Sequence, residues 1–307
     1  MDKLFIYLVL SLPLVGVYAM LGLGITVIYQ ASRVLNLAHG AMAMSAAYFT
    51  YQLTVLWHLP VPAGVAGGVV FGALFGLAVE RIFVRRLRSA GPTTQTVGTV
   101  AVLSLAIAVA SQKFGSLPVN TPQVLPTGAL QVGPGQVHWD LLLIFPIGVA
   151  GALALFALLQ FTDIGLAMRG AAQNRRGASL RGVDPDRTTM LAWVIGGAYA
   201  GLAGILLSSA TALDPYGVPL GVLPAFVAVL IGGLDSMPGV LLGAAVVGFT
   251  QGMVPAMGLL PKVGPIDVPT LAHSQGAPEL VVGVLALAVM ARRGARLSTA
   301  DARSDTL

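Results

Sequence analysis

Cysteine is absent from this sequence and charge is scarce. Without a thiol, disulfides, zinc–thiolate sites and cysteine nucleophiles are excluded. Only 9% of the 307 residues are charged, against about 25% in an ordinary soluble domain. A water-soluble fold of this length would have too few charges to cover its surface. Lysine is limited to Lys3, Lys113 and Lys262, and none follows the glycine-rich turn that cradles nucleotide phosphates. His39, His58, His138 and His273 are scattered without zinc-ligand spacing, and no Ser/His/Asp set falls at matching depths. No cofactor, metal or catalytic residue is expected. The net charge of +5 lies in short clusters between apolar runs, the pattern of cytoplasmic loops rather than of a nucleic-acid surface.

Apolar sequence is what the chain has in abundance: 56% of residues are hydrophobic and the mean hydropathy is +0.85. Lipid must therefore solvate much of it. Nine apolar stretches stand out, roughly 4–29, 39–57, 61–84, 94–112, 140–160, 188–211, 222–234, 238–256 and 278–292. Most approach the roughly 20 residues that cross a bilayer as a helix. The first outruns the 7–15-residue core of a signal peptide and has no clear small-residue cleavage site, so it reads as a retained span. The seventh and eighth, split by "GGLDSMPG", are read as two crossings, with a re-entrant hairpin as the alternative. The expected fold is an all-α membrane bundle of about nine segments (eight to ten) over residues 1–292, with a polar tail at 293–307.

Arginine placement orients the bundle. Nine crossings that start outside put Arg33, the run "RIFVRRLR", the segment around 163–187 and the tail on one side. The positive-inside rule makes that side cytoplasmic, with the N-terminus outside and the C-terminus inside. The loops 113–139 and 257–277, which contain no arginine, are then extracytoplasmic. The acids fall at predicted ends and loops: Glu80, Asp140, Asp163, Asp214, Asp235 and Glu279. Glu80 beside Arg81 reads as a solvated or snorkelling pair. Intramembrane carboxylates, the usual mark of ion coupling, are not expected, so uphill transport would need an outside energy source.

Gly64, Gly68, Gly72 and Gly76 recur every fourth residue along the third stretch and form one flat ridge on a helix. Such ridges let two backbones approach closely in lipid. Tight packing within the chain is the expected use, with a dimer face as the alternative.

The segment "GLAMRGAAQNRRGASLRGVDPDR" carries Arg169, Arg175, Arg176, Arg181 and Arg187 in an otherwise apolar neighbourhood. Its alanines and Leu180 favour a short helix interrupted by Gly177 and closed by Gly182 and Pro185. Arg169, Gln173 and Arg176, at i, i+4 and i+7, would share one face. Composition alone permits either a loop that merely fixes topology or a surface that touches a partner or anionic lipid.

This segment, continued through "TTMLAWVIGGAYAGLAGILL", resembles the cytoplasmic loop and following helix of the high-affinity branched-chain amino-acid permeases of bacterial ABC importers. Gly165, Ala167, Arg169, Ala178, Gly182, Val183 and Arg187 carry the likeness. Earlier, "GLGITVIYQASRVLNLAHGAMAMSAAY" is similar to that family's entry motif through Gly22, Tyr29, Arg33, Asn36, Ala38, His39 and Gly40. Later, "FVAVLIGGLDSMPGVLLGAAVVG" matches its Gly-Gly-Leu and Pro-Gly turn. The three matches stand in the family's order across most of the chain.

The resemblance implies a permease subunit in a bacterial inner membrane. It would work with a second, different permease, two cytoplasmic ATPases and an extracytoplasmic solute-binding protein. Residues 163–187 would be the coupling segment, with Arg169, Gln173, Arg175, Arg176, Gly182 and Arg187 at the ATPase. Many coupling segments begin Glu-Ala-Ala, whereas here no acid lies between Asp163 and Asp184. Gln173 or Asn174 would then supply a neutral hydrogen bond, weaker than a charge-assisted one. The "RVLNLAHG" element has two readings. In one it is a cytoplasmic turn in which Arg33 anchors, Asn36 caps the next helix and His39 sits half-exposed. In the other, Asn36 and His39, with Arg33 and Gly40, shape an inner gate by hydrogen bonds across helices.

Branched-chain or other apolar amino acids are the expected substrate. Urea and short-amide permeases are the close alternative, but they usually carry a long soluble N-terminal extension that this sequence lacks. A channel or carrier needing no ATPase is a second alternative, and a membrane enzyme a third.

Overall fold

A computed structural model describes residues 2–121, 123–126, 128–132, 135–259, 270, 274 and 276–304. All nine apolar stretches are helical. The first is α1 (Asp2–Ser32), followed by α2 (His39–Tyr51) with a π-helical end Gln52–Leu56, and α3 (Val61–Ala78) with a π-helical end Val79–Val84. Next come α4 (Gly91–Phe114) and α5 (Trp139–Phe161), then two short helices, α6 (Asp163–Gln173) and α7 (Arg175–Leu180). The remainder is α8 (Pro185–Ala210), α9 (Gly217–Leu220), α10 (Leu223–Gly232), α11 (Met237–Gly252) and α12 (Ala277–Ser304). Six helices are long and apolar enough to cross a membrane by length and composition: those over 4–32, 61–84, 93–114, 139–161, 185–210 and 237–258. Two shorter apolar helices span 217–232 and 277–291. The chain is a multi-pass helical membrane protein.

One element was not expected. Within 113–139 the backbone forms an antiparallel hairpin, β1 (Ala129–Val132) with β2 (Gly135–His138), in the register Ala129↔His138 to Val132↔Gly135. Most of the other long loop, including His273 and Lys262, lies outside the described residues.

Contacts at the helix ends sort the bundle into two poles. At one, Arg33 pairs with Asp235, and Arg85 and Arg175 both pair with Asp186. At the other, Val119 and Leu213 exchange both backbone hydrogen bonds (2.9 and 3.0 Å), and Thr121 donates to the Ser208 carbonyl at 2.8 Å. Arginines gather at the first pole.

Two helices begin deep inside. After α1, residues 33–38 turn inward, and α2 starts at His39 beside Gly24 of α1. Gly24 lies about 12 Å below the end of α1 at 1.5 Å per residue. After α8, residues 211–222 turn inward from the opposite pole, and α10 starts beside Gly22 of α1. The two breaks meet where Gly40 abuts Pro219: a Cβ on Gly40 would stand 2.8 Å from the Pro219 carbonyl oxygen. The arrangement is inverted. α1–break–α2–α3 and α8–break–α10–α11 run in opposite directions, α11 packing on α1 as α3 packs on α8.

Glycine makes those packings possible. Gly64, Gly68, Gly72 and Gly76 are all buried. A Cβ on Gly72 would meet the Gly197 carbonyl at 2.6 Å, while Gly68 faces Thr50, Ile205 and the Ala46 carbonyl. On the other side, Gly248 and Gly252 of α11 face Val15 and Ser11 of α1. In lipid such close backbone packing, not water exclusion, drives helix association.

Glu80 departs from its expected place. It is 0% exposed, whereas Arg81 next to it is exposed. It sits at the α-to-π transition, where the wider turn shifts the phase of the helix face and carries the carboxylate inward.

Candidate functional site at the arginine-rich pole

α6 begins where the Thr162 side chain accepts from the Gly165 N–H at 3.4 Å. It ends because Asn174 is extended (φ −150°, ψ 96°) and its side chain accepts the Gly177 N–H at 2.8 Å, starting α7. The helix is therefore broken at Asn174, not at Gly177, which lies inside α7. Arg169 and Gln173 do share a face of α6, but Arg176 belongs to the next helix, a correction to the three-residue face. Asn174, used as a cap, has its side-chain oxygen already occupied within the chain.

α7 closes on Gly182 at φ +81°, with Val183 N–H bonded to the Ala178 carbonyl at 3.1 Å and Gly182 N–H to that of Ser179 at 3.0 Å. This is a Schellman closure, and no atom lies within 4 Å of a Cβ built there. Conformation, not space, calls for glycine. Asp184 then caps α8, accepting from the N–H groups of Asp186 (2.9 Å) and Arg187 (3.4 Å).

Asp186 ties this segment to the bundle. One carboxylate oxygen takes Arg175 at 2.5 Å and the other takes Arg85, beyond the end of α3, at 2.9 Å. Exposed pairs of this kind stabilise by only about 0–1 kcal/mol each, so their effect is to fix position. Arg175 thus points back toward α8. Arg176 and Arg181 stay on the exposed surface, and Leu180 beside them is 83% exposed. Arg187 is 81% exposed and pairs with Asp184 at 3.2 Å.

A cavity of about 420 Å³ opens between α6, the ends of α1 and α5, and the α10–α11 turn. Arg169, Gln173, Arg33 and Asp235 all line it. Arg169 donates to the Gln160 side chain at 2.6 Å. Arg33, at φ +58°, holds Asp235 at 2.7 Å, whose carbonyl also accepts from Gln30 at 3.0 Å. Residues expected in two separate motifs therefore share one cavity, while Arg175, Arg176, Gly182 and Arg187 stand outside it.

The rest of the "RVLNLAHG" element is buried. His39 is 0% exposed rather than half-exposed, and α2 is preceded by Ala38 with no side-chain cap, so Asn36 caps nothing. Nor does either residue bridge helices. The Asn36 amide reaches only the Met42 sulfur, at 3.7 Å, and its carbonyl oxygen has no partner. The His39 ring lies beside the Leu21 backbone, yet neither ring nitrogen finds hydrogen-bond geometry. The Leu37 N–H, donating to Thr99 Oγ1 at 3.0 Å, ties the break to α4. The half-exposed turn misses the depth of the motif.

The sequence that builds this pole has counterparts among known proteins. The model of a family described as the branched-chain amino acid transport system permease component matches residues 7–290. The chain belongs to this family. The permease is 27% identical over 251 residues to the high-affinity branched-chain amino acid transport system permease protein LivH of Escherichia coli, covering 77% of this chain and 81% of that one. It is 26% identical over 257 residues to BraD of Pseudomonas aeruginosa, a permease of the same printed description (80% and 84% covered). It is 27% identical over 205 residues to an L-arabinose ABC transporter permease, AraH of Azospirillum brasilense, covering 62% of this chain and 56% of that one.

Sequence reasoning missed two residues that organise this pole of the permease. Asp186 is signalled only by its place in the first turn of α8, where an acid suits the helix dipole. Asp235 reads as a plain turn residue until the fold brings Arg33 to it.

Proposed function

We propose that this permease is one of two different membrane subunits of an ABC importer for branched-chain or other apolar amino acids in the bacterial cytoplasmic membrane. Separate cytoplasmic ATPases would drive it and an extracytoplasmic binding protein would deliver the substrate. The arginine-rich pole is cytoplasmic, the N-terminus is outside, the C-terminus is inside, and the nine helical stretches cross, α9 and α10 together forming one broken crossing.

The observation that carries this reading is the α6–α7 segment. It is the longest interruption between apolar helices at the arginine-rich pole. It is pinned to α3 and α8 through Asp186 while presenting Arg176, Leu180 and Arg181 outward. Pinned behind and exposed in front, it is built to receive a push from a docked ATPase and hand it to the helices, with Arg169, Gln173, Arg175, Gly182 and Arg187 shaping that surface. The sequence itself has no nucleotide-binding turn.

The test is reconstitution with the ATPases, second permease and binding protein encoded beside it, reading ATP hydrolysis. Leucine, isoleucine and valine are expected to stimulate it, and urea is not; stimulation by urea alone overturns the substrate assignment. Replacing Arg175 and Arg176 with Glu is expected to lose ATPase from a detergent pull-down while membrane insertion persists. Full ATPase retention removes the coupling assignment.

A further inference from the structure

The cavity beside α6 has walls of both charge signs above an apolar floor. Its volume, about 420 Å³, falls within the roughly 300–1,000 Å³ of small-molecule sites. Arg33 is already matched by Asp235 at 2.7 Å. Among the described residues Arg169 is held by the uncharged Gln160, so an incoming carboxylate would give its guanidinium an ionic partner that can accept two parallel N–H bonds in place of an amide oxygen. Across the cavity, Asp235 and the Ser236 hydroxyl offer acceptors to an ammonium group. Between them lie Val27, Phe156, Leu159, Met168 and Met237. A dianion would meet Asp235 and a simple cation would meet two guanidinium groups. A zwitterion with an aliphatic side chain satisfies both walls and the floor.

We infer that this cavity binds a free aliphatic amino acid arriving from the arginine-rich side, and that occupancy slows transport. This second step rests on the coupling role proposed above. One wall is α6, with Met168, Arg169, Ala172 and Gln173; the other is the end of α1 and the 235–238 turn. A ligand touching both walls splints α6 to them. Released substrate would thereby brake its own import.

Binding is measured on the full-length chain in phosphatidylglycerol nanodiscs, without ATPase or binding protein, using radiolabelled L-leucine. Its failure is thus separate from failure of ATPase docking. Saturable binding is expected, falling roughly tenfold, equivalent to about 1.4 kcal/mol, in Ala172→Trp, which fills the space without removing a charge. Asp235→Asn keeps the shape, so it is expected to bind 4-methylpentanoate, which has no ammonium group, as well as it binds L-leucine. Absent binding in the wild type, or unchanged binding in Ala172→Trp with unchanged selectivity in Asp235→Asn, overturns the inference. A zwitterionic lipid headgroup shares this chemistry. Loss of leucine binding when phosphatidylethanolamine replaces phosphatidylglycerol assigns the cavity to lipid and overturns the amino-acid assignment. In proteoliposomes of the whole importer, millimolar leucine on the ATPase side is expected to slow import several-fold in the wild type and not in Ala172→Trp. Equal slowing of both overturns the brake.

Discussion

The two inward breaks perform the same geometric task with different chemistry. The break after α1 buries Asn36 and His39, with the Asn36 carbonyl oxygen and both imidazole nitrogens lacking hydrogen-bond partners. The break after α8 is built from Pro215, Pro219, Gly221 and Val222, with the Asp214 carboxylate near the surface accepting from the N–H groups of Tyr216 and Gly217. Stability explains the second break: prolines pre-set the chain and leave no donor unsatisfied. It does not explain the first, because a buried polar group without a partner costs roughly 1–3 kcal/mol. Such a cost is tolerated where function needs the group, which makes the first break, not the second, the candidate for a functional role.

Six substitutions break or sharpen that contrast. The largest effect is expected from Gly40→Leu, which drives a side chain into the Pro219 backbone where the breaks meet; a folded, monodisperse species should vanish in size-exclusion chromatography. Gly221→Leu is expected to be milder, since its tightest neighbour, at 3.0 Å, is the movable end of Leu207. Next, Gly72→Leu and Gly248→Leu strike equivalent ridges in the two inverted halves, and each should destabilise by about 1–3 kcal/mol in thermal unfolding. An unchanged midpoint for either would show that its ridge does not hold that half together. A smaller change of opposite sign is expected for His39→Met: with no hydrogen bond to lose, the protein should be equally stable or up to about 1 kcal/mol more stable, while import falls. A clear drop in thermal midpoint would show that the imidazole is satisfied in the membrane. Gly182→Ala should cost only about 1–3 kcal/mol at its left-handed position, read as weaker ATPase retention with little change in the bundle's unfolding midpoint.

The helices were legible because twenty-residue apolar runs have few other uses. Depth was not. Residues 33–38 read Arg-Val-Leu-Asn-Leu-Ala, a composition equally at home in a surface turn, and only contacts with Thr99, Gly24 and Pro219 place the segment inside. Glu80 was misplaced because a carboxylate beside Arg81 looks like an interfacial pair, and nothing local announces a π-helical turn. The cap at Asn174 was readable: Asn three residues before a glycine N–H is a familiar helix start. It was obscured by the periodic arginines, which suggested a single face. The hairpin at 129–138 carries too weak an alternation to stand out in a polar loop.

Under the coupling role proposed above, Asp186 would also set the direction in which load travels. Asn174 divides the segment: α7 is bolted, through one carboxylate, to the stem of α8 and the foot of α3, while α6 packs on α1, α5 and α8. A thrust on α7 would then be steered along α8 rather than dissipated in the loop. α8 is the strut against which α2 leans, Gly204 touching Ala43. On that reading the thrust would arrive about one turn from the buried start of α2, with α8 as the pushrod and the His39 break as the valve it moves.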